Sequence, residues 1–413
     1  MSYTVLAAIV VIVIVALLLV ALLLFVKKKV TPSGLVRIDI NDGSKTLEVE
    51  PGSNLMGTLA SEDIFLASAC GGKANCGQCK VQVEEGGGQI LPTETGFFNR
   101  KQVKDNWRLG CQVKVKEDIK IKVDESALNA RKYQCEVISN DNVATFIKEF
   151  TVRLPEGEAM DFRSGQYIQV DIPAFHIHFK DIEVAAEYRE DWEKYGFFGL
   201  ECENDEPTVR AYSMASYPAE GGIIKLNVRI ATPPRGLSVP PGIASSYIFT
   251  RKPGDIVTLS GPYGEFLLPQ DDPEENEYIF VGGGAGMAPL RSHIMHLFKT
   301  LRTGRKVSFF YGARALREAF YLDDFAQLER EFPNFKFHLA LDRPDPAADA
   351  AGVPYTPGFV HNVMYETYLK SHETPEDIKY FMCGPPMMVS SVNSLLDSLG
   401  VEAGNILYDD FGG

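Results

Sequence analysis

Ten residues concentrate the chemistry of this chain: Cys70-Gly71-Gly72-Lys73-Ala74-Asn75-Cys76-Gly77-Gln78-Cys79, with Cys111 following further on. Three thiolates on one tight loop and a fourth brought in by the fold form the donor set of a [2Fe–2S] cluster. The glycines let the loop take unusual backbone angles and bring its N–H groups close to the sulfurs. Zinc is the main competitor, but structural zinc usually sits between two short Cys-x-x-Cys knuckles. Only Cys76 and Cys79 make such a pair, and Cys111 has no near partner. Seven cysteines in 413 residues, with no cleavable secretory signal, point to a reducing compartment rather than a disulfide framework.

Further along, Arg210-Ala211-Tyr212-Ser213 offers a cation for phosphate, a flat ring for stacking and a hydroxyl donor. Gly242-Ile243-Ala244-Ser245-Ser246-Tyr247 opens a short helix whose N–H groups would suit a diphosphate, although Ser245 and Ser246 could equally be ordinary caps. A strand at Tyr278–Val281 runs into Gly282-Gly283-Gly284-Ala285-Gly286-Met287-Ala288-Pro289 and a helix. Such a turn suits phosphate, but Pro289 replaces the third glycine of the dinucleotide fingerprint. Cys383-Gly384-Pro385-Pro386 follows another buried-type strand; its thiol could be a core group or face a ligand. Arg314, at the end of the strand that follows the glycine turn and its helix, would suit a 2′-phosphate, so NADH and NADPH both stay open. His176 and His178 form an extended pair of the kind that is usually mere surface, and Cys135 and Cys202 read as structural.

The elements that must position these groups fall into three kinds. Residues 35–50 read as a hairpin turning at Asn41-Asp42-Gly43, before a short helix from Leu55, the cysteine loop, and strands at Lys80–Val83, Cys111–Val115 and Ile119–Val123. Short alternating strands at 133–139, 146–154, 167–172, 208–214, 223–230 and 256–259 predict an antiparallel barrel. Beyond the acidic connector at 271–277, strands alternate with helices, which predicts a parallel sheet. The expected architecture is multidomain, α+β and α/β: an anchor at 1–30, a β-grasp-like ferredoxin-type domain at 31–124, a linker at 125–132, a barrel at 133–270 and a parallel-sheet domain at 271–413. An aromatic, acidic insertion at 174–206 interrupts the barrel. It is either a surface excursion or a docking surface for another subunit.

The net charge of −14 argues against nucleic acid and against a basic lipid-binding face. Residues 3–26 carry no charge and are followed by Lys27, Lys28 and Lys29, the pattern of an uncleaved single transmembrane helix in the lipid bilayer with everything after it cytoplasmic. The anchor has no ionisable group and cannot by itself form an ion path.

The hairpin, helix, cysteine loop and late cysteine resemble a ferredoxin domain, although the first cysteine gap is five residues where plant-type ferredoxins have four. Arg210 to Ser213, Asn227-Val228-Arg229 and the 242–247 segment resemble the flavin-binding half of the ferredoxin–NADP reductase superfamily. The resemblance implies that Arg210 contacts the FAD pyrophosphate, Tyr212 packs on the flavin, Ser213 donates toward its N5 edge, and Asn227, Val228, Arg229, Gly242, Ser245 and Ser246 complete the site. In the same way Gly283, Gly284, Gly286, Pro289, Cys383 and Gly384 resemble the pyridine-nucleotide half, with Cys383 beside the nicotinamide and Phe411 covering the flavin ring. The anchor, the insertion and the Asp-Asp-Phe-Gly-Gly end are similar to the F subunits of sodium-translocating NADH:quinone oxidoreductases. Membership would imply NADH as donor, FAD and a [2Fe–2S] cluster at Cys70, Cys76, Cys79 and Cys111, partner membrane subunits, quinone as the complex's final acceptor, and a bacterial inner membrane. The alternative is the NADH-dependent reductase component of a multicomponent oxygenase, which shares this order of parts and needs no anchor.

Overall fold

The computed structural model describes residues 12–20, 34–68, 70–234, 236–237 and 239–409. The chain forms two compact units, Met1–Asn129 and Ala130–Gly413. Residues 12–20 are helical with exposed apolar side chains, and among the described residues no helix is long and apolar enough to cross a membrane. The expected transmembrane helix is therefore not among the described elements; the rest of it, and Phe411, lie outside the described residues.

In the first unit, β1 (Val36–Ile40) and β2 (Lys45–Val49) form the hairpin, with left-handed backbone at Asn41, Asp42 and Gly43 in its turn. Strands β3 (Lys80–Glu85), β4 (Trp107–Leu109) and β5 (Ile119–Lys122) complete a sheet of order β2-β1-β5-β3-β4, with β1 parallel to β5. This is the β-grasp arrangement. Period-two alternation buries Val36, Ile38 and Ile40 and leaves Arg37 exposed, and the helix Leu55–Ser61, capped by the Asn54 side chain, packs on the apolar face through Leu55 and Leu59. Two expectations change. The strand beside the late cysteine is Trp107–Leu109, ahead of it, because the backbone of Val113 and Val115 instead pairs with Ser53 and Leu55 at the helix start. Part of the expected linker is ordered: Asp124 accepts from the Ser126 N–H and a helix spans Glu125–Asn129, with Ala127 buried.

The second unit begins with β6 (Arg131–Ala144), β7 (Ile147–Arg153), β8 (Tyr167–Ile172), β11 (Thr208–Ser213), β12 (Ile223–Arg229) and β13 (Ile256–Tyr263), an antiparallel sheet of order β11-β8-β13-β6-β7-β12. A bridge between Met214 and Leu226 joins its two ends, so the sheet closes as a barrel. The insertion contains a hairpin, β9 (Phe175–His178) with β10 (Glu201–Asn204), and a helix, Ala186–Lys194. Its aromatic residues turn inward. Phe179 and Trp192 are fully buried in the barrel's core, and Trp192 Nε1 donates to the Thr145 carbonyl at 2.8 Å. The apolar content that suggested a docking surface is thus largely used by the unit's own packing.

The remaining strands are β14 (Tyr278–Gly283), β15 (Val307–Ala313), β16 (Phe335–Leu341), β17 (Thr356–Pro357), β18 (Lys379–Cys383) and β19 (Ile406–Asp409). All pair in parallel, in the order β17-β16-β15-β14-β18-β19. The chain moves outward from β14 to β17, then crosses to the other side of β14 for β18. The crevice at the carboxyl ends of β14 and β18 is therefore a topological switch point, the place where open α/β sheets hold ligands. The glycine run and Cys383 both end there.

Candidate functional sites of the two units

The cysteine loop has left-handed backbone at Gly71, Gly72, Ala74 and Gly77. Gly77 cannot be replaced without strain, since a Cβ there would stand 2.4 Å from the Phe97 ring. The loop sets the thiols in pairs. Cys70 and Cys76 Sγ lie 3.3 Å apart, and Cys79 is hydrogen-bonded to Cys111. Burial pushes the Cys70 thiol up, but N–H groups of Asn75, Cys76 and Lys73 and the Cys76 thiol outweigh it and bring it to about 7. The Cys79 hydrogen bond draws Cys111 down to about 6. Two thiol pairs, with N–H groups aimed at the sulfurs, fit a cluster in which each of two irons takes two thiolates.

Behind the late cysteine lies a pair that the sequence reading missed. Glu94 and Arg108 are both buried and bonded at 2.8 Å. Glu94 also accepts from the N–H groups of Leu91 and Leu109, and Arg108 donates to the carbonyls of Gly87 and Gly88. Every charged atom has a partner, so the pair clamps β4 immediately before Gly110, whose N–H bonds the Cys79 carbonyl at 2.7 Å. An acidic residue fourteen positions from an arginine gives no periodic signal, which is why sequence alone does not reveal it.

In the second unit, β11 carries Arg210, Tyr212 and Ser213 along one barrel strand paired with β8. The Arg210 guanidinium folds back on its own strand, donating to Thr208 Oγ1 and the Val209 carbonyl. Tyr212 is half-buried. Asn227 and Val228 are buried in β12 and Arg229 is exposed; the Val228 side chain belongs to the barrel core, leaving only its backbone for a ligand. Gly242 caps the helix Ile243–Phe249. Ser245 Oγ accepts from the Ala231 N–H and donates to the Gly242 carbonyl, a local structural role, and buried Ser246 is hydrogen-bonded to the Cys202 thiol. Asn227 Oδ1 is buried without a partner. This unsatisfied acceptor fits a bound group that donates a hydrogen bond to it, as FAD would.

Three residues far along the chain complete this region, and none was anticipated. Tyr321 OH accepts from Asn227 Nδ2 at 2.8 Å and donates to Glu149. The Arg291 guanidinium stacks on the Tyr321 ring at 4.7 Å and is itself tied to Glu220, Asp324 and the Ala215 carbonyl. Asp409, at the end of β19, accepts from Ser213 Oγ at 2.7 Å. β19 lies beside β18 with Asp409 opposite Cys383, so Ser213 and Cys383 are brought to one place.

At the switch point the glycines make room for backbone. A Cβ on Gly286 would fall 2.1 Å from the Cys383 carbonyl oxygen, and one on Gly384 would fall 3.1 Å from the Gly283 nitrogen. Gly284 is left-handed, and its carbonyl accepts from Tyr311 OH at 3.2 Å. Pro289 is buried in the first turn of the helix Met287–Met295, where a missing N–H costs nothing. Cys383 is fully buried. Gly283, Gly286 and Gly384 thus let the glycine turn close against the Cys383–Gly384 backbone, and the turn so formed at the start of the helix Met287–Met295, with room at Gly284, fits a dinucleotide phosphate.

Relatives over nearly the whole chain decide the family. An F subunit of the Na(+)-translocating NADH-quinone reductase from Psychrobacter arcticus is 54% identical over 390 residues, covering 94% of this chain and 93% of the relative. One from Pseudomonas aeruginosa is 51% identical over 387 residues, again covering 94% and 93%. The chain belongs to the family of Na(+)-translocating NADH-quinone reductase F subunits. Within this F-subunit family member, residues 38–116 match the 2Fe-2S iron-sulfur cluster binding domain, 194–267 the oxidoreductase FAD-binding domain and 280–394 the oxidoreductase NAD-binding domain. The cofactors of the F-subunit chain are accordingly a [2Fe–2S] cluster, FAD and NADH. Among solved structures, the cytochrome P450 reductase GcoB of Amycolatopsis is similar at a TM-score of 0.63 and 22% identity, covering 91% of this chain and 98% of that one. The ferredoxin reductase of a carbazole 1,9a-dioxygenase is similar at 0.58 and 22%, with the same coverage. Both likenesses concern the fold.

Proposed function

We propose that this chain is the NADH-oxidising, electron-input subunit of a sodium-translocating NADH:quinone reductase, with Cys70, Cys76, Cys79 and Cys111 holding the cluster. FAD, when bound, takes an electron pair as hydride and releases single electrons, which a [2Fe–2S] cluster accepts one at a time. The observation that carries the reading is the coexistence of paired thiols in one unit with a barrel and a switch-point cradle in the other. In this reading Arg210, Gly242, Ser245 and Ser246 hold the FAD pyrophosphate. Tyr212, Asn227, Val228 and Arg229 line the flavin, and Ser213 presents a hydroxyl oriented by Asp409. Gly283, Gly284, Gly286, Pro289 and Gly384 seat NADH, and buried Cys383 excludes water beside the nicotinamide. Phe411, outside the described residues, is the candidate for covering the flavin by the family resemblance alone.

In this reading the chain divides into a ferredoxin domain at 31–124, a connection at 125–132 that holds the helix Glu125–Asn129 and the start of β6, a FAD barrel at 133–270 with its insertion at 174–206, and a NADH domain at 271–413. Residues 3–26 are the lipid-spanning anchor and Lys27 to Lys29 its cytoplasmic flank, which places the redox units on the cytoplasmic side of a bacterial inner membrane beside partner subunits. Sodium movement belongs to those partners, because the anchor offers no ionisable group.

The test is NADH titration of the purified protein, followed by Cys76→Ser. The wild type should bleach its flavin absorbance and develop the electron paramagnetic resonance of a reduced [2Fe–2S] cluster. The variant should keep flavin bleaching and NADH–ferricyanide activity while membranes carrying it lose NADH–quinone activity. A wild type that contains zinc in place of iron would sink the reading.

A further inference from the structure

We propose that the insertion hairpin carries a second metal site, formed by His176, His178 and Glu201, for a divalent first-row ion of the zinc type. The candidate ligand atoms, two imidazole nitrogens and one carboxylate oxygen, all lie within 4.8 Å of one another. His178 Nδ1 is 2.9 Å from Glu201 Oε1, and His176 Nε2 is 3.4 Å from Glu201 Oε2. Ligand atoms bound to a single zinc ion at about 2.0–2.1 Å stand roughly 3.4 Å apart, so small rotamer adjustments bring all three onto one ion.

The hairpin fixes which face these groups share. His176 and His178 are two apart on β9, and Glu201 is the cross-strand partner of His178. The intervening positions are locked inward. Phe175 stacks on Tyr247 with centroids 5.9 Å apart, Ile177 packs on the barrel core, and Cys202 is fully buried there. Asn204 Nδ2 donates to the Pro173 carbonyl at 2.7 Å and ties the hairpin's open end. A one-residue slip would expose that apolar face, so the outward set of His176, His178, Glu201 and Glu203 is held in register. Two imidazoles and a carboxylate on a rigid pair of strands, with remaining positions open to water, are a donor set suited to zinc. His176 also borders a cleft of about 690 Å³ containing Lys180, Asp181 and Lys252, which gives an added ligand access to the ion. This cluster lies on the insertion hairpin, outside the six-stranded barrel sheet and the parallel sheet.

The test is equilibrium dialysis of the full-length, cluster- and flavin-loaded protein against zinc chloride, with zinc and iron measured on the same samples. The wild type should take up about one zinc per chain. The His176→Ala/His178→Ala double variant and Glu201→Gln should each weaken that uptake by at least about tenfold, with iron and flavin content unchanged. All three side chains face solvent, so these substitutions leave the core intact. X-ray absorption at the zinc edge should report nitrogen and oxygen neighbours. No uptake by the wild type, uptake unaltered in the variants, or a sulfur shell around the zinc would each overturn the proposal.

Discussion

At the scale of single residues, the thiol pairs divide the burden unequally. Cys76 is the least buried of the four, and Cys111 depends on a clamp that no cysteine contributes. Cys111→Ser should therefore remove one member of the Cys79 pair and cut iron content to below about a tenth of wild type, by elemental analysis. Tyr321→Phe should leave Glu149 and Asn227 without their shared phenol. We expect a loss of about 1–3 kcal/mol in stability and weaker FAD retention, read by flavin release on dilution. The four cysteines were legible in the sequence because their spacing is the chemistry. Tyr321, Glu149 and Asp409 were not, because each acts on a residue far along the chain, and nothing in local spacing marks a partner 196 or 172 positions away.

At the scale of elements, most strands with strict alternation were read correctly, Cys111–Val115 being the exception, and so were the Tyr278–Val281 strand and the glycine turn that follows it. What escaped was structure set by tertiary pairing. The short strand at Trp107–Leu109 and the hairpin within 174–206 have too few residues to show a period. Trp192 illustrates the cost of reading composition alone: an aromatic, acidic stretch looked outward-facing, yet its indole is a core residue. Trp192→Ala should destabilise the second unit by about 3–5 kcal/mol, seen as a lower urea midpoint by circular dichroism.

The helix Met287–Met295 makes a pH prediction. Its His293 is fully buried, against Ser164 Oγ at 3.2 Å and the rings of Phe266 and Phe381. Burial holds the imidazole down to about 3, from 6.5 when exposed. The fold thus accepts the neutral ring. Its contribution is complete above pH 6.5 and is lost as pH falls from there toward 3, on the order of 5 kcal/mol in full. The urea midpoint of the second unit should fall between pH 6.5 and 4. In His293→Gln that fall should be shallower, whatever the variant's stability at pH 7.

At the scale of the whole molecule, the chain divides at Asn129 and Ala130 into units with separate cores. A protein truncated to residues 130–413 should fold, bind FAD and oxidise NADH with ferricyanide at a rate comparable to the full chain, while losing the iron signal and all quinone-linked activity. Failure of the fragment to bind flavin would show that the first unit is needed for the second to fold. The acidic balance of the chain lies in residues 130–413 and should keep that fragment soluble near neutral pH.

The Ser213–Asp409 bond has a consequence for biosynthesis. β11 leaves the ribosome 196 residues before its partner side chain does. At translation rates of roughly 5–20 residues per second, that interval is about 10–40 s. The barrel can close during this time, but the Ser213 hydroxyl must wait for β19 to gain its partner. A nascent chain thus gains its barrel well before this bond can form, and a ribosome stalled before β19 emerges would hold a folded barrel whose Ser213 hydroxyl still lacks its carboxylate partner.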